Sequence, residues 1–311
     1  MSFGGDADEA ESAKMYAACR DKGINFFDCA DAYSGGRAEE ILGGLMASER
    51  DDLVITSKCF LPTSKDINAR GSNRRHIVKA VEQSLKRMKT DRMDVLFLHR
   101  WDPHTPYEET LRALENLVRE GKVLYLGASN YSAWQIAKAL GIAEKNGWPR
   151  VDVIQPMYSM VKRQAEVEIL ELAKEEELGV ITYSPVGGGL LSGKYTLENR
   201  PDAGRLVENK EYTARYGEEW LYETAGKFTE LARSKNIHPV SLAVSWAAAH
   251  PAVTCPIIGS RNLEQLQASL DSTNIEMTPE LHAEIASLGR TPPPATDRLG
   301  RVSVWRRKLL N

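Results

Sequence analysis

The stretch from Gly23 to Gly44, GINFFDCADAYSGGRAEEILGG, decides the fold. A short apolar strand, Ile24-Asn25-Phe26-Phe27, ends at a carboxylate, Asp28. Five positions on, Tyr33 stands in a loop rich in small residues. A helix begins after Arg37, with Ile41, Leu42 and Leu45 as its apolar face. An ionisable residue at the C-terminal tip of a strand, with a second in the loop beyond, is how sites are built in (β/α)₈ barrels.

Working outward, later strands end the same way. Leu53-Val54-Ile55-Thr56 stops at Lys58, and Asp94 to Leu98 stops at His99. Val123 to Leu126 leads to Ser129 and Asn130, and Val151 to Ile154 leads to Gln155. Val180 to Tyr183 runs into Gly187-Gly188-Gly189, and Val253 to Ile258 into Gly259-Ser260-Arg261. Helical patterns fill the intervals. The first is expected over 6–22, and Ser72 is read as the cap of one carrying Ile77, Val78, Val81 and Leu85. Thr105 to Glu108 reads as a capping box with Pro106 at the first helical position, and Ser132 to Gln135 as a second box. Further helices are expected over 165–178, up to 236, over 239–249, near Asn262, and from Thr278-Pro279. The segment 190–217, with Pro201, Gly204 and many charges, reads as a long functional loop.

Apolar strands alternating with helices imply a parallel sheet covered on both faces. Seven such strands follow one another without a Pro/Gly/Ser linker. The expectation is a single α/β domain over residues 1–311, a TIM-type (β/α)₈ barrel with its first strand missing or incomplete, and a tail over 292–311. Right-handed crossovers put the strand C-termini on one face. Asp28, Tyr33, Lys58, His99, Ser129, Asn130, Gln155, Tyr183 and Arg261 then converge there.

The totals narrow the partners. Apolar residues at 42% suffice for a large core, and 27% charged residues with a net charge of −3 argue against a nucleic-acid groove or a membrane surface. The Arg306-Arg307-Lys308 tail reads as a solvated end. No apolar run approaches the ~18 residues of a transmembrane helix. The acidic N-terminus does not read as a signal peptide. Four cysteines, Cys19, Cys29, Cys59 and Cys255, form no CxxC pair, so a reducing cytoplasmic compartment is expected. Homo-oligomerisation is left open.

Taken singly, each site residue has a plainer role: Asp28 and Lys58 as a structural ion pair, His99 as a core histidine, Tyr183 as packing. Together they suit proton delivery to a carbonyl oxygen. A phenol is a poor acid, with a reference pKa of about 10. A nearby ammonium is expected to lower it, a carboxylate to hold the ammonium, and an imidazole to orient the substrate oxygen. Ser129, Asn130 and Gln155 offer the mixed donors and acceptors a nicotinamide carboxamide needs, and Tyr183 an aromatic face. The loop from Ser184 to Lys194 offers backbone N–H groups and a cation for a pyrophosphate. Arg261 precedes a helix whose dipole favours an anion such as a 2′-phosphate.

Two nucleotide motifs fail. Gly188-x-x-x-x-Gly193-Lys194 is followed by Tyr195 where a P-loop has Ser or Thr. No G-x-G-x-x-G follows a strand, so a Rossmann site is not indicated. Six histidines without HExxH or paired spacing give no metal site.

FFDCADAY resembles the F-D-T-A-x-x-Y block of the aldo-keto reductases, and LHRWDP their L-H-x-x-D-P segment. GKVLYLGASNYS, ITYSPVGGGLLSGKY and PIIGSRNLEQL resemble three further blocks of that family, in the family's order and over nearly the whole chain. The resemblance implies a (β/α)₈ barrel, NADPH dependence and reduction of aldehydes or ketones, with Tyr33 as general acid in a tetrad with Asp28, Lys58 and His99. It places cofactor contacts at Ser129, Asn130, Gln155, Tyr183, Ser184, Pro185, Val186, Gly187, Gly189, Ser192, Lys194, Arg205, Gly259, Ser260, Arg261 and Gln265. Phe60 and Trp101, following strand ends, are candidates for the substrate pocket or ordinary packing aromatics, with Trp220 a looser candidate. Some proteins resembling this family are potassium-channel regulatory subunits that sense the nucleotide, which is the alternative reading.

Three departures from the family pattern stand out. Cys29 stands where Thr is usual. Ala268 and Ser269 replace an acid and an Asn that commonly contact adenine. The N-terminal hairpin and first strand that usually precede residues matching Met1 to Gly5 are absent. The strands at Ile24 and Val253 are then expected to keep unpaired edges. The chain reads as a truncated form with Met1 an internal methionine; the alternative is that Val302 to Leu310 or a second subunit fills the gap.

Overall fold

The computed structural model describes residues 2–202 and 204–296. The tail proposed to fill the gap, Val302 to Leu310, lies outside the described residues. Helix α1 (Glu9–Asp21) starts at Asp8, whose carboxylate accepts from Glu11 N at 2.8 Å. Strand β1 (Phe26–Asp28) follows, then a turn with Ser34, Gly35 and Gly36 at positive φ, and α2 (Arg37–Leu45). Next come β2 (Val54–Cys59), α3 (Arg74–Met88), β3 (Met93–Leu98), α4 (Tyr107–Arg119), β4 (Val123–Ser129) and α5 (Ala133–Asn146). The second half holds β5 (Val151–Gln155), α6 (Ile169–Glu175), β6 (Gly179–Thr182), α7 (Arg205–Glu208), α8 (Lys210–Tyr216), α9 (Glu219–Ser234), α10 (Pro239–Ala248), β7 (Cys255–Pro256), α11 (Leu263–Leu270) and α12 (Pro279–Ser287).

Among the described residues seven strands lie parallel in the order β1 to β7, a curled sheet with helices outside. One face packs on the helices through the main core, in which Trp246, Phe228 and Tyr158 are fully buried. The other carries a smaller cluster of Val95, Phe97 and Ile181, flanked by Phe26, Val153, Cys255 and Ile257. Phe97 faces Gly127 across the β3–β4 ladder. A Cβ at Gly127 would lie 2.4 Å from the Phe97 ring, so the ring's place depends on the bare glycine. Among the described residues β1 and β7 have one neighbour each, and no strand joins them. No helix among these residues is long and apolar enough to cross a membrane.

Several local expectations are corrected. The α3 cap is Asn73, accepting from His76 N at 3.0 Å, and not Ser72. Thr105 does not cap α4; its hydroxyl donates to Asp102 at 2.8 Å, and Pro106 takes the cap position. At α5, by contrast, the expected capping box of Ser132 and Gln135 is present, Gln135 Oε1 accepting from Ser132 N at 2.9 Å. The loop 190–217 contains α7 and α8, the latter capped by Asn209. Its Tyr212 ring lies so close to Gly188 that a Cβ there would meet it at 2.7 Å. The segment is folded against the glycine loop and partly helical, where an irregular functional loop was expected. The final strand is two residues long; Pro256 has no N–H to give the ladder, and Ile257 N beyond it bonds to Thr182 O at 2.7 Å.

Candidate active site

The strand ends bring the four tetrad residues together. Lys58 Nζ donates to Asp28 Oδ2 at 2.5 Å and to Cys29 O at 2.7 Å. The ammonium is 1% exposed and the carboxylate 8%. Asp28 is held from two further sides, Thr56 Oγ1 and Gln155 Nε2 donating to its Oδ1 at 2.8 and 2.9 Å. The ammonium lies 5.0 Å from the Tyr33 ring centre, and the Tyr33 and His99 rings meet edge to face at 5.9 Å. Tyr33 is set there by its turn, Tyr33 N bonding back to Ala30 O at 3.1 Å.

The charges follow from burial and neighbours. Burial works against the Lys58 ammonium, but Asp28 and Tyr33 outweigh it and hold its pKa above the ordinary value. Burial raises the Tyr33 phenol, and the opposing pull of Lys58 does not cancel it. The expectation that Lys58 lowers the Tyr33 pKa is corrected: that contribution is present and smaller than desolvation. Burial, then Lys58, pushes His99 down to about 4. At neutral pH the site holds a phenol with its proton, a charged ammonium and a neutral imidazole whose buried Nδ1 has no partner.

Around this core the polar residues of the strand ends are already linked. Ser129 Oγ donates to Gln155 O at 2.9 Å, Asn130 Nδ2 to His99 O at 3.0 Å, and the Tyr183 hydroxyl to Asn130 Oδ1 at 2.6 Å. Asn130, at φ +58°, adopts the left-handed turn that Asn tolerates. The family model of the Aldo/keto reductase family matches residues 1–290.

The chain belongs to the aldo-keto reductase family. It is similar to a probable voltage-gated potassium channel subunit beta of Oryza sativa subsp. japonica, 34% identical over 96% of this chain and 93% of that protein. It is similar to an uncharacterized oxidoreductase of Bacillus subtilis (strain 168), 33% identical over 90% of this chain and 87% of that protein. It is also similar to versiconal hemiacetal acetate reductase of Aspergillus parasiticus, 32% identical over 88% of this chain and 84% of that protein.

In this aldo-keto reductase the residues present fit a nicotinamide dinucleotide. The mouth beside Tyr33 has amide and hydroxyl groups for a carboxamide, and Thr182, fully buried at the end of β6, has a hydroxyl without a partner. The glycine loop turns through positive φ at Gly187, Gly188 and Gly189, and a Cβ at Gly189 would meet nothing within 4 Å. Two cations, Arg205 and Arg261, stand together near the start of α11, both reaching Asp6. Part of the loop expectation is corrected: the N–H groups of Gly187, Gly189 and Leu191 bond back to Ser184 O and Val186 O, within the loop. Gln265 N is likewise taken by the Asn262 cap, and Ser260 Oγ donates to Asn262 O at 2.7 Å. Gly259 and Lys194 are exposed.

Of the pocket candidates, Trp101 packs edge to face with Tyr107, Tyr131 and Trp134, at 4.7, 5.6 and 5.5 Å. Phe60 stands at φ +150°, a strained backbone for a non-glycine residue at the end of β2. Trp220 is engaged elsewhere, by Glu218 and under Arg290.

Three residues were not singled out from sequence. Thr56 lies two positions before Lys58 on the same strand, a spacing that shares a face. Asp31 gives no local signal; it is 2% exposed, neither carboxyl oxygen has a well-formed hydrogen bond, and with His76 it lines a cavity of about 420 Å³. Burial, then nearby Glu39, raises Asp31 to about 7. Asp6 reaches the arginines only through the tertiary fold.

Proposed function

We propose that this protein reduces aldehydes or ketones to alcohols with NADPH. The observation that carries this is the buried Asp28–Lys58 pair set against the Tyr33 ring, with His99 at the ring's edge. When bound, the reduced nicotinamide supplies the hydride. Tyr33 holds the proton that the carbonyl oxygen needs, and its raised pKa keeps it protonated at neutral pH. As the phenol gives up that proton, the Lys58 ammonium steadies the phenolate left behind, a charge stabilisation that grows toward the transition state. Asp28 keeps the ammonium in place and charged. Neutral His99 carries one N–H and orients the substrate oxygen.

NADPH is proposed over NADH because Arg205 and Arg261 suit the 2′-phosphate. Trp101 and Phe60 support apolar or aromatic carbonyl substrates. Tyr33→Phe removes only the transferable proton. Its kcat is expected to fall about 10²–10⁴-fold, with nucleotide affinity nearly unchanged. Full turnover by that variant would remove Tyr33 from the chemistry.

The second reading is a nucleotide-binding regulatory protein, motivated by the rice relative's name. An NADPH-oxidation assay against a panel of aldehydes separates the two. Tight NADPH binding without turnover of any carbonyl supports the regulator.

A further inference from the structure

The two arginines suited to a 2′-phosphate are not free. One carboxylate oxygen, Asp6 Oδ2, lies 3.4 Å from Arg261 Nε and 3.8 Å from Arg205 Nη2. Glu208 Oε2 lies 3.6 Å from Arg261 Nη2. At the start of α11, Glu11 Oε1 accepts from Leu263 N at 2.7 Å, which occupies the helix's first amide. Asp6 is not on a loose end. Gly4 N bonds to Ala7 O and Ala7 N to Ser2 O, closing a turn at 2.9 and 3.0 Å. Ala7, 1% exposed, packs with Met15, Leu266 and Leu270, so the turn is fastened to α11 itself. The turn also touches the catalytic loop, Ser34 Oγ donating to Phe3 O at 2.9 Å beside Tyr33.

We infer that Asp6 is a specificity-determining residue for the nucleotide, a carboxylate already seated on the cation pair that a 2′-phosphate requires. This rests on the cofactor reading above. A 2′-phosphate must displace Asp6 or share Arg261 with it, and like charges brought together oppose binding. A ribose 2′-hydroxyl carries no charge and can donate to the same oxygen, as carboxylates do in sites that take the unphosphorylated cofactor. Asp6 therefore narrows the preference for NADPH over NADH that Arg205 and Arg261 alone would give. Glu208 acts in the same direction on the other side of Arg261.

The test is equilibrium titration of the full chain by tryptophan fluorescence or calorimetry, with NADPH and NADH, at low and high salt. The ion pairs are half-exposed, so each contact is small; Asp6→Asn is expected to tighten NADPH about three- to tenfold while NADH stays within about twofold. High salt should erase the difference. Glu208→Gln should act in the same direction and less strongly. In an Arg261→Ala background the effect of Asp6→Asn should shrink, which marks the two side chains as one unit. A thermal melt checks that each variant folds. The inference is overturned if both nucleotides bind and Asp6→Asn leaves NADPH unchanged, or tightens NADPH and NADH equally. If neither wild type nor Asp6→Asn binds either nucleotide, the cofactor reading falls and takes this one with it.

Discussion

Asp28→Asn removes one charge from the Lys58 pair and leaves the side chain's size unchanged. Asn retains an oxygen for Thr56 and Gln155, so those two hydrogen bonds survive. Lys58 keeps Cys29 O and the Tyr33 side chain, and at 1% exposure it has no water to turn to. Breaking a buried pair in this way costs about 3–5 kcal/mol, mostly the cost of the stranded charge. For 311 residues, an unfolding entropy of about 2.1 cal/mol/K per residue makes each kcal/mol worth roughly 1.5 °C in Tm. The expected drop is therefore about 5–8 °C, read by thermal unfolding. With Asp28 gone, burial is the main influence left on Lys58, and its pKa falls. A depressed folded pKa gains stability as pH rises, so the deficit of Asp28→Asn should shrink toward alkaline pH. The double variant Asp28→Asn/Lys58→Met strands no charge and should recover most of the loss. If Asp28→Asn melts with the wild type, or the double variant is no better than the single, the pair is not the buried, mutually dependent unit described here.

Two further predictions concern stability. Asp31 has a folded pKa of about 7 against an ordinary 3.8, so its contribution is present at acid pH and lost as pH rises through 7. The loss amounts to roughly 4 kcal/mol. Asp31→Asn should melt with the wild type at acid pH and above it at neutral pH; parallel curves across the range would show that Asp31 does not titrate as its burial implies. Gly127→Ala drives a methyl group into the Phe97 ring and should cost about 1–3 kcal/mol. Unchanged melting would mean that the ring moves aside freely.

The strand ends were legible in the sequence because a parallel strand is apolar on both faces until it leaves the sheet. A charged or hydrogen-bonding residue closing the run then marks the tip, as Asp28, Lys58, His99 and Gln155 do, although Thr56 and Ser57 already interrupt the apolar run before Lys58. Caps were less legible. Ser72 and Asn73 are both good caps, and the choice between them is made by the turn from Gly71, whose φ of +82° brings a potential Cβ within 2.8 Å of Asp102. Thr105 and Glu108 have capping-box spacing, but Asp102 competes for the Thr105 hydroxyl. Helix α8 was hidden because its seven residues hold little local signal; Tyr212 and Tyr216 stabilise it by packing, both being buried. The Tyr33 pKa was misjudged because a neighbouring charge can be guessed from sequence, whereas the degree of burial opposing it cannot. Asp6 lay in an acidic run that reads as a solvated helix start, and only the folded turn of residues 2–7 brings it to Arg261.

The thinning of the sheet toward its margins bears on how the molecule breathes. β3 and β4 share five paired positions, whereas β1 meets β2 over three and β6 meets β7 over two. Local opening should follow that gradient, with the central strands among the last amides to exchange and the marginal ones the first. Asp28 sits on a marginal strand, yet its carboxylate is bonded to Lys58 and Thr56 on β2 and to Gln155 on β5. The site's carboxylate is thus a rivet for β1, fixing it both to its neighbour and across the curl of the sheet. Slow exchange at the Cys29 amide, bonded to Thr56 O at 3.0 Å, therefore reports that Asp28, Lys58 and their partners are assembled, before any ligand is present.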